Sequence, residues 1–474
     1  METILVRINE PKFEYDVHAL IRSFYPGTDV SFSEDAAPDA VRTFRITIGE
    51  RTSVMETEGR SVALAGGTED KNALKLSFYN ALSALTGRTL PWGNLTGIRP
   101  TKIAMEGIEN GLDDETICEK LEREHAVSGE KQKLCVDIAH REKALLDCLD
   151  YENGYSLYIG IPFCPTTCLY CSFTSFPIAL WRKRVGDFIA ALKEEIIATA
   201  RLMEGRRLET VYMGGGTPTS LEADELREIL DCLNEHFDMT HVREFTVEAG
   251  RPDSITKEKL DVLKACGADR ISVNPQTMND ETLKLIGRNH TTAMLKESYE
   301  LARKAGFDNI NMDIILGLPG ETEDMVRHTI SEIERLGPDS LTVHSLAIKR
   351  ASALNRMMKE RSVDCLENTD ELMRYAAEGA LRMHMKPYYL YRQKNMSGNF
   401  ENVGYAREGA YGIYNILIME EKQSILALGP GSVSKVVTPD GRIERCDNVK
   451  DVKLYMDEIP ELIERKRKLL LNLQ

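Results

Sequence analysis

The chain of 474 residues contains no apolar run approaching the roughly 20 residues of a membrane span. Its first residues, METILVRINEPKFEYD, turn acidic at once and lack a signal-peptide core. Positive charge is in deficit: 60 Lys+Arg stand against 75 Asp+Glu, a formal net charge of −15. Phosphate backbones are bound by basic faces, so no nucleic-acid partner is expected. A local basic pocket for an acidic small molecule remains open. Ten cysteines are too sparse in so long a chain for a disulfide framework. Internal repeats and low-complexity tracts are missing too. These absences point to a cytoplasmic protein, without a membrane span, whose cysteines serve metal or catalysis. What is present is globular: 42% hydrophobic and 28% charged residues, with length enough for two or three domains.

Residues 1–150 read as strand, helix, strand, strand, helix, then the turn-rich PWGNLTGIRPTK and two charged helices, an α+β accessory domain with no motif tied to chemistry. Residues 151–350 change to alternation. SLYIGIPF, ETVYMGGG, EFTVEAG, RISVNPQ, NINMDIILGLP and SLTVHSL are β-branched runs separated by amphipathic helical stretches. That pattern predicts a parallel α/β sheet, closed partly as a (β/α)6 barrel or left open, with ligands at the C-terminal ends of the strands. Residues 351–474 lose the alternation and read as a cap: a helix, an aromatic polar run, the strand-like GIYNILIMEEKQSILALGPG and a helical tail.

The chemistry-bearing motif is FCPTTCLYCSF, which spaces Cys164, Cys168 and Cys171 as C-x3-C-x2-C directly after the first of these strands. Thiolates favour iron–sulfur clusters, zinc or copper(I). A structural zinc wants four protein ligands, and no fourth Cys or His lies nearby. Three thiolates on a [4Fe–4S] cluster leave one iron open. After the second strand, Gly214, Gly215, Gly216, Thr217 and Pro218 form GGGTP, either a plain turn or a backbone that approaches a ligand closely.

The cysteine spacing, with Tyr170 before the last Cys, resembles the radical S-adenosylmethionine (SAM) signature. LYIGIPFCPTTCLYCSF looks like the family of oxygen-independent coproporphyrinogen III dehydrogenases (oxidases), and RQKNMSGNFENVGYA like its HemZ-type branch. The resemblance covers roughly residues 155–440. It implies a partial (β/α)6 TIM-like barrel of the radical SAM type, a [4Fe–4S] cluster on Cys164, Cys168 and Cys171, and SAM chelated to the open iron. It also implies that Gly214, Gly215, Gly216 and Thr217 hold the SAM amino group. Glu248, Gln276, Arg288 and Asp313 take family positions around SAM; Ile315, Gly317 and Leu318 lie where the family places adenine. Tyr158 aligns with a family tyrosine near SAM and substrate, its plain alternative being a core-facing strand aromatic.

Family chemistry implies hydrogen abstraction from the β-carbon of a porphyrinogen propionate by a SAM-derived radical, with loss of CO2 and of one electron to a final acceptor leaving a vinyl. The expected partners are coproporphyrinogen III and a reducing electron donor such as flavodoxin or ferredoxin. Propionates call for cationic clamps. Arg392, Lys394 and Arg407 are the candidates, with a solvated basic face as the alternative. The haem chaperones share the cysteine spacing followed by a Phe, here Phe173, and the fourth Cys of the best-known dehydrogenases is missing. Against the chaperones, their haem-associated H-N-x-x-Y-W pattern is missing: the chain reads GNFENVGYA. A tetrapyrrole methyltransferase using two SAM molecules and a haem-trafficking protein are the remaining alternatives.

Overall fold

The computed structural model describes residues 2–33, 40–97, 99–349, 352–360, 364–393 and 396–471. At the N-terminus five strands form one sheet, in the spatial order Asp29–Phe32, Thr3–Ile8, Ala40–Ile48, Thr52–Thr57, Arg60–Ala65. Helices Glu14–Phe24 and Lys71–Thr86 complete this unit. Its hydrophobic cluster runs from Ile4 to Leu90. Two of these strands, Asp29–Phe32 and Thr52–Thr57, escape the sequence reading: one has only four residues, and in the other Ser, Thr and Glu dilute the apolar alternation. Three helices follow, Pro100–Glu109, Asp114–His125 and Gly129–Leu146, where two were expected. Their buried faces join the large cluster that begins at Trp92, so the hydrophobic clusters divide near residue 90.

The large cluster surrounds a sheet of eleven strands. Six parallel strands stand side by side in chain order: β1 (Gly154–Ile161), β2 (Arg207–Gly215), β3 (Glu244–Glu248), β4 (Arg270–Ser272), β5 (Asn309–Leu316) and β6 (Ser340–Ser345). These are the six apolar runs expected from the sequence. On the far side of β6 lie β7 (Lys386–Tyr391) and β8 (Asn402–Ala406), with β8 antiparallel to both. Beyond β1 comes β9 (Ser424–Leu428), parallel to it, then β10 (Val433–Val437) and β11 (Ile443–Asp447) in antiparallel array. The stretch expected to be strand-like, GIYNILIMEEKQSILALGPG, is therefore half helix, because Ile413–Glu420 winds before β9 begins.

The crossover helices are α1 (Val185–Leu202), α2 (Ala223–His236), α3 (Lys257–Ala265), α4 (Thr292–Lys304) and α5 (Glu323–Leu336). Their starts are written locally. Thr256, Thr291 and Thr322 each accept a hydrogen bond from a backbone N–H of the first turn, and Glu222 and Glu225 form a reciprocal capping box on α2. In the cap, α6 (Asp370–Arg382), α7 (Ile413–Glu420) and α8 (Ile459–Leu471) pack around the edge strands. Among the described residues no helix is long and apolar enough to cross a membrane.

Candidate active site

The parallel strands are almost wholly buried, yet five of the six break the pattern toward their C-terminal ends or middle. Tyr158 on β1, Tyr212 on β2, Glu248 on β3, Asp313 on β5 and His344 on β6 are half-buried among buried neighbours, and Tyr391 on β7 repeats this. Side chains of alternate residues share one face of a sheet. These residues therefore line the inner face of a curled sheet, and water reaches them there. The Asp313 charge acts on both Tyr212 and Glu248 across this lumen.

One wall is aromatic. The rings of Tyr158 and Tyr212 stack at 6.2 Å and 14°, and Tyr414 from α7 stacks on Tyr212 at 4.5 Å and on Tyr158 at 6.3 Å, both at 22°. Tyr414 is held there by Glu244, whose carboxylate accepts from the backbone N–H groups of Ile413 and Tyr414 at the N-terminus of α7. Arg270, fully buried below, lends its charge to Glu244 and donates to Ser340. Burial pushes the Tyr158, Tyr212 and Tyr414 phenols upward, so all three stay protonated at neutral pH.

The carboxylates on this face differ. Tyr212 Oη donates to Glu248 Oε1 at 2.6 Å, and the Gly215 N–H also serves that carboxylate. Burial and the Asp313 charge outweigh these bonds and push Glu248 up to about 7. Asp313 goes the other way. Burial works to raise it, but the hydrogen bonds and charge of His344, Asn311 and Thr342 hold it below the usual carboxylate range. Asn274 Nδ2 donates to its Oδ2 at 2.8 Å and Asn311 Nδ2 to its Oδ1 at 2.7 Å.

Above the lumen, directly after β1, lies the cysteine loop, closed at its base by the short pairing of Phe163–Cys164 with Phe176–Pro177. Cys164, Cys168 and Cys171 are all half-buried. Burial raises the Cys164 and Cys171 thiols, and for Cys171 the neighbouring Cys168 and Cys164 add to the rise. Two cations flank the loop. Arg251 donates to Thr166 O, Thr166 Oγ1 and Cys168 Sγ, the last at 3.5 Å. Arg288 donates to Asn274 O at 2.8 Å, and Tyr170 and Cys168 hold its charge. Thr217 Oγ1 donates to Cys164 Sγ at 3.5 Å. Among the described residues no three Cys, His, Asp or Glu side chains are gathered closely enough to grip a single metal ion.

The glycine triplet has a steric reason for each member. A Cβ on Gly214 would stand 2.8 Å from the Glu248 carboxyl carbon, and one on Gly216 2.5 Å from Phe163 O; Gly215 has φ 104°. Gln276 adopts φ 65°, locked by its N–H to Asp313 O and by Ile315 N–H to its own carbonyl, and its amide oxygen is buried without a partner. Ile315 and Leu318 pack with Leu169 and Tyr170 in a small apolar cluster beneath the cysteine loop. The structure thus brings Tyr158, the GGGTP turn, Glu248, Gln276, Arg288, Asp313 and Ile315 to one end of the sheet with the three cysteines.

The expected propionate clamps do not join them. Arg392 is buried, stacks over Trp92 at 5.6 Å, and spends its guanidinium on the carbonyls of Leu95, Asn399 and Phe400. Arg407 lies at the opposite, N-terminal end of β6, paired with Asp339 and donating to Gly337 O and Met383 O. Lys394 lies outside the described residues. Tyr212, Tyr414, Asn274, His344 and Arg251 were missed. Period-two polar residues along an apolar strand, Arg270/Ser272/Asn274, were a legible signal for Asn274; Tyr414 had none.

Residues 158–333 match the radical SAM superfamily. The chain is 43% identical over 405 residues to the oxygen-independent coproporphyrinogen-III oxidase-like protein HemZ of Bacillus subtilis (strain 168), covering 84% of this chain and 81% of that one. It is 31% identical over 307 residues to the heme chaperone HemW of the same organism, covering 65% of this chain and 76% of that one. Among solved structures it is similar to coproporphyrinogen III oxidase (HemN) from Escherichia coli, a radical SAM enzyme, with a TM-score of 0.53, 24% identity, and coverage of 68% and 72%. That likeness concerns the fold. Radical SAM proteins bind a [4Fe–4S] cluster and SAM, and the donor set here fits both. The loop offers soft thiols flanked by N–H donors, and the unpartnered oxygen of buried Gln276 suits a donor on a polar ligand. Since the 43% relative is matched over more than four-fifths of both chains, this protein belongs to the oxygen-independent coproporphyrinogen-III oxidase-like family of the radical SAM superfamily.

Proposed function

We propose that the protein carries out the anaerobic, SAM-dependent oxidative decarboxylation of coproporphyrinogen III propionates to vinyls, giving protoporphyrinogen IX, in the cytoplasm. The observation that carries this reading is the group of three near-parallel tyrosine rings beneath the cysteine loop, with half-buried Tyr158 and Tyr212 in the lumen and Tyr414 stacked on both, an apolar lining with protonated phenols that suits a tetrapyrrole. The HemZ relative, a coproporphyrinogen-III oxidase-like protein, supports it. When bound, the cluster and SAM supply a hydrogen-abstracting carbon radical.

The chain's own residues then have these tasks. Cys164, Cys168 and Cys171 bind the cluster, and Arg251 and Thr217 donate toward its thiolates. The Gly214–Thr217 turn, Glu248, Gln276, Arg288, Asp313 and Ile315 hold SAM. Tyr158, kept neutral by burial, donates a hydrogen bond and orients ligand against Tyr212 and Tyr414. With Arg392 and Arg407 engaged elsewhere, the propionate partners are His344 and Lys349 at the C-terminal mouth. Among the described residues no carboxylate pairs with the Lys349 ammonium, and burial lowers its pKa, so an incoming anion regains what desolvation costs. A reducing electron donor such as flavodoxin or ferredoxin would supply the electron that the cluster needs.

The deciding experiment is anaerobic: cluster-reconstituted protein, dithionite, SAM and coproporphyrinogen III, with porphyrin and SAM products resolved by mass spectrometry. Loss of CO2 matched by methionine and 5′-deoxyadenosine is expected. S-adenosylhomocysteine would point instead to methyl transfer. A second reading, haem chaperone, is favoured by the HemW relative and by Phe173 after the last cysteine; it requires tight haem binding without SAM cleavage.

A further inference from the structure

Arg251 opens the turn that follows β3, in the sequence TVEAGRPDSIT. Pro252 starts the turn, and Ser254 closes it by donating its N–H and its hydroxyl to Arg251 O at 2.9 and 2.8 Å. The fold-back sets Asp253 on the guanidinium, whose Nε and Nη2 meet the two carboxylate oxygens at 3.0 Å each. Toward the cysteine loop, Nη1 donates to Thr166 O at 3.2 Å and to Cys168 Sγ at 3.5 Å, and Nη2 to Thr166 Oγ1 at 2.9 Å. A guanidinium has five N–H groups, and here each is spent. Nothing of this buried side chain is left for SAM or a propionate. Arg288 differs: it bonds the carbonyls of Gly250 and Asn274, and its buried Nε is without a partner, an open donor for a ligand.

The three sulfurs are therefore unequal. Cys164 receives the hydroxyls of Thr217 and Ser175, and Cys171 the backbone N–H of Phe173, all neutral donors. Cys168 takes its donor from a buried cation, Arg251, with the charge of Arg288 beside it. Asp253 offsets one of the two guanidinium charges. His290, buried beside them, is kept neutral by burial and by both guanidiniums. We infer that Arg251 is the positioning residue that sets the reduction potential of the cluster on this loop, by holding its charge and one N–H against the Cys168 sulfur. This rests on the radical SAM reading of that loop. Reduction adds one electron to the cluster and moves no atoms, so negative charge grows on the sulfurs. A fixed cation and an N–H···S bond stabilise that form over the oxidised one. Burial keeps solvent and salt from screening the cation, and the Asp253 pair offsets the cost of placing it there.

The test is a redox titration of the cluster-reconstituted full chain, with dithionite as reductant and the reduced cluster quantified by electron paramagnetic resonance. At a fixed potential, Arg251→Met is expected to lower the ratio of reduced to oxidised cluster about tenfold, which is about 59 mV for one electron. Arg251→Lys keeps the charge and loses the fork, and should recover part of that. Thr217→Val removes a neutral donor from Cys164 and should stay within about twofold of the parent. Should Arg251→Met fail to assemble a cluster, Asp253→Asn carries the test with the opposite sign: it removes the offsetting charge and should raise the ratio about threefold. A residue that merely braces the loop would change the iron content and leave these ratios alone. Unchanged ratios at full iron content, or a fall in Asp253→Asn, overturn the inference and leave the radical SAM reading standing. A parent whose reduced-cluster signal is absent, or does not change when SAM is added, sinks that underlying reading instead.

Discussion

Glu248 carries a carboxyl that burial lifts to about 7 from an ordinary 4.5, and Glu321, buried against Thr277 and Asn279, behaves alike. Between those two values the folded protein binds more protons at these sites than the unfolded chain does. Stability from such a group is therefore present at low pH and lost as pH rises through the folded pKa. In cofactor-free protein, Glu248→Gln should gain about 1–2 kcal/mol relative to the parent on going from pH 5 to pH 8, a figure reduced because the side chain faces the wet lumen. Urea unfolding at the two pH values checks this; equal differences would mean that Glu248 titrates normally. At the same scale, Cys168→Ala should remove most of the visible iron–sulfur absorbance after reconstitution, because two thiolates do not hold a cluster that needs three. Lys349→Met should raise KM for the tetrapyrrole about tenfold with kcat little changed, the mark of a group that binds ground and transition states alike.

At the scale of elements, α8 is fastened by a single buried ion pair. Lys466 Nζ meets Glu195 Oε1 at 2.7 Å, and the same carboxylate accepts from Tyr455 Oη, Asn448 Nδ2 and Gly429 N–H. Burial would raise Glu195, yet Lys466 and these donors hold it below its ordinary value, as a charged partner. Lys466→Met strands that charge and should cost about 3–5 kcal/mol, while Glu195→Gln/Lys466→Met should recover much of the loss. Both follow from chemical denaturation. The clasp also fixes the turn at Gly429, which lies so close to β1 that a Cβ there would stand 2.2 Å from Gly160 O. None of this is readable in the C-terminal charge run Arg465–Lys468, which by residue type alone resembles a solvated face. Helical periodicity announces α8, but a lysine that is 1% exposed looks in sequence like any surface lysine.

Over the whole molecule, long-range ties decide which charges are available for chemistry. Arg392 joins the cap to the Trp92–Leu95 segment across nearly 300 positions of sequence. Arg392→Ala should therefore lower stability by about 2–4 kcal/mol, since it orphans several buried carbonyls, and should leave KM for the tetrapyrrole unchanged. A changed KM with unchanged stability would restore it as a substrate clamp. What the sequence determined by itself was local: six apolar β-branched runs, the cysteine spacing, the glycine triplet and the threonine caps, each set by contacts within a few residues. That sufficed to predict a parallel sheet and to put the site at the C-terminal ends of its strands. Tertiary structure alone decided that Tyr414 would complete the aromatic wall, that β9 would pair with β1, and that Arg392 and Arg407 would be consumed elsewhere. Side-chain partnership between distant segments depends on where folding brings them, and residue type carries no record of that.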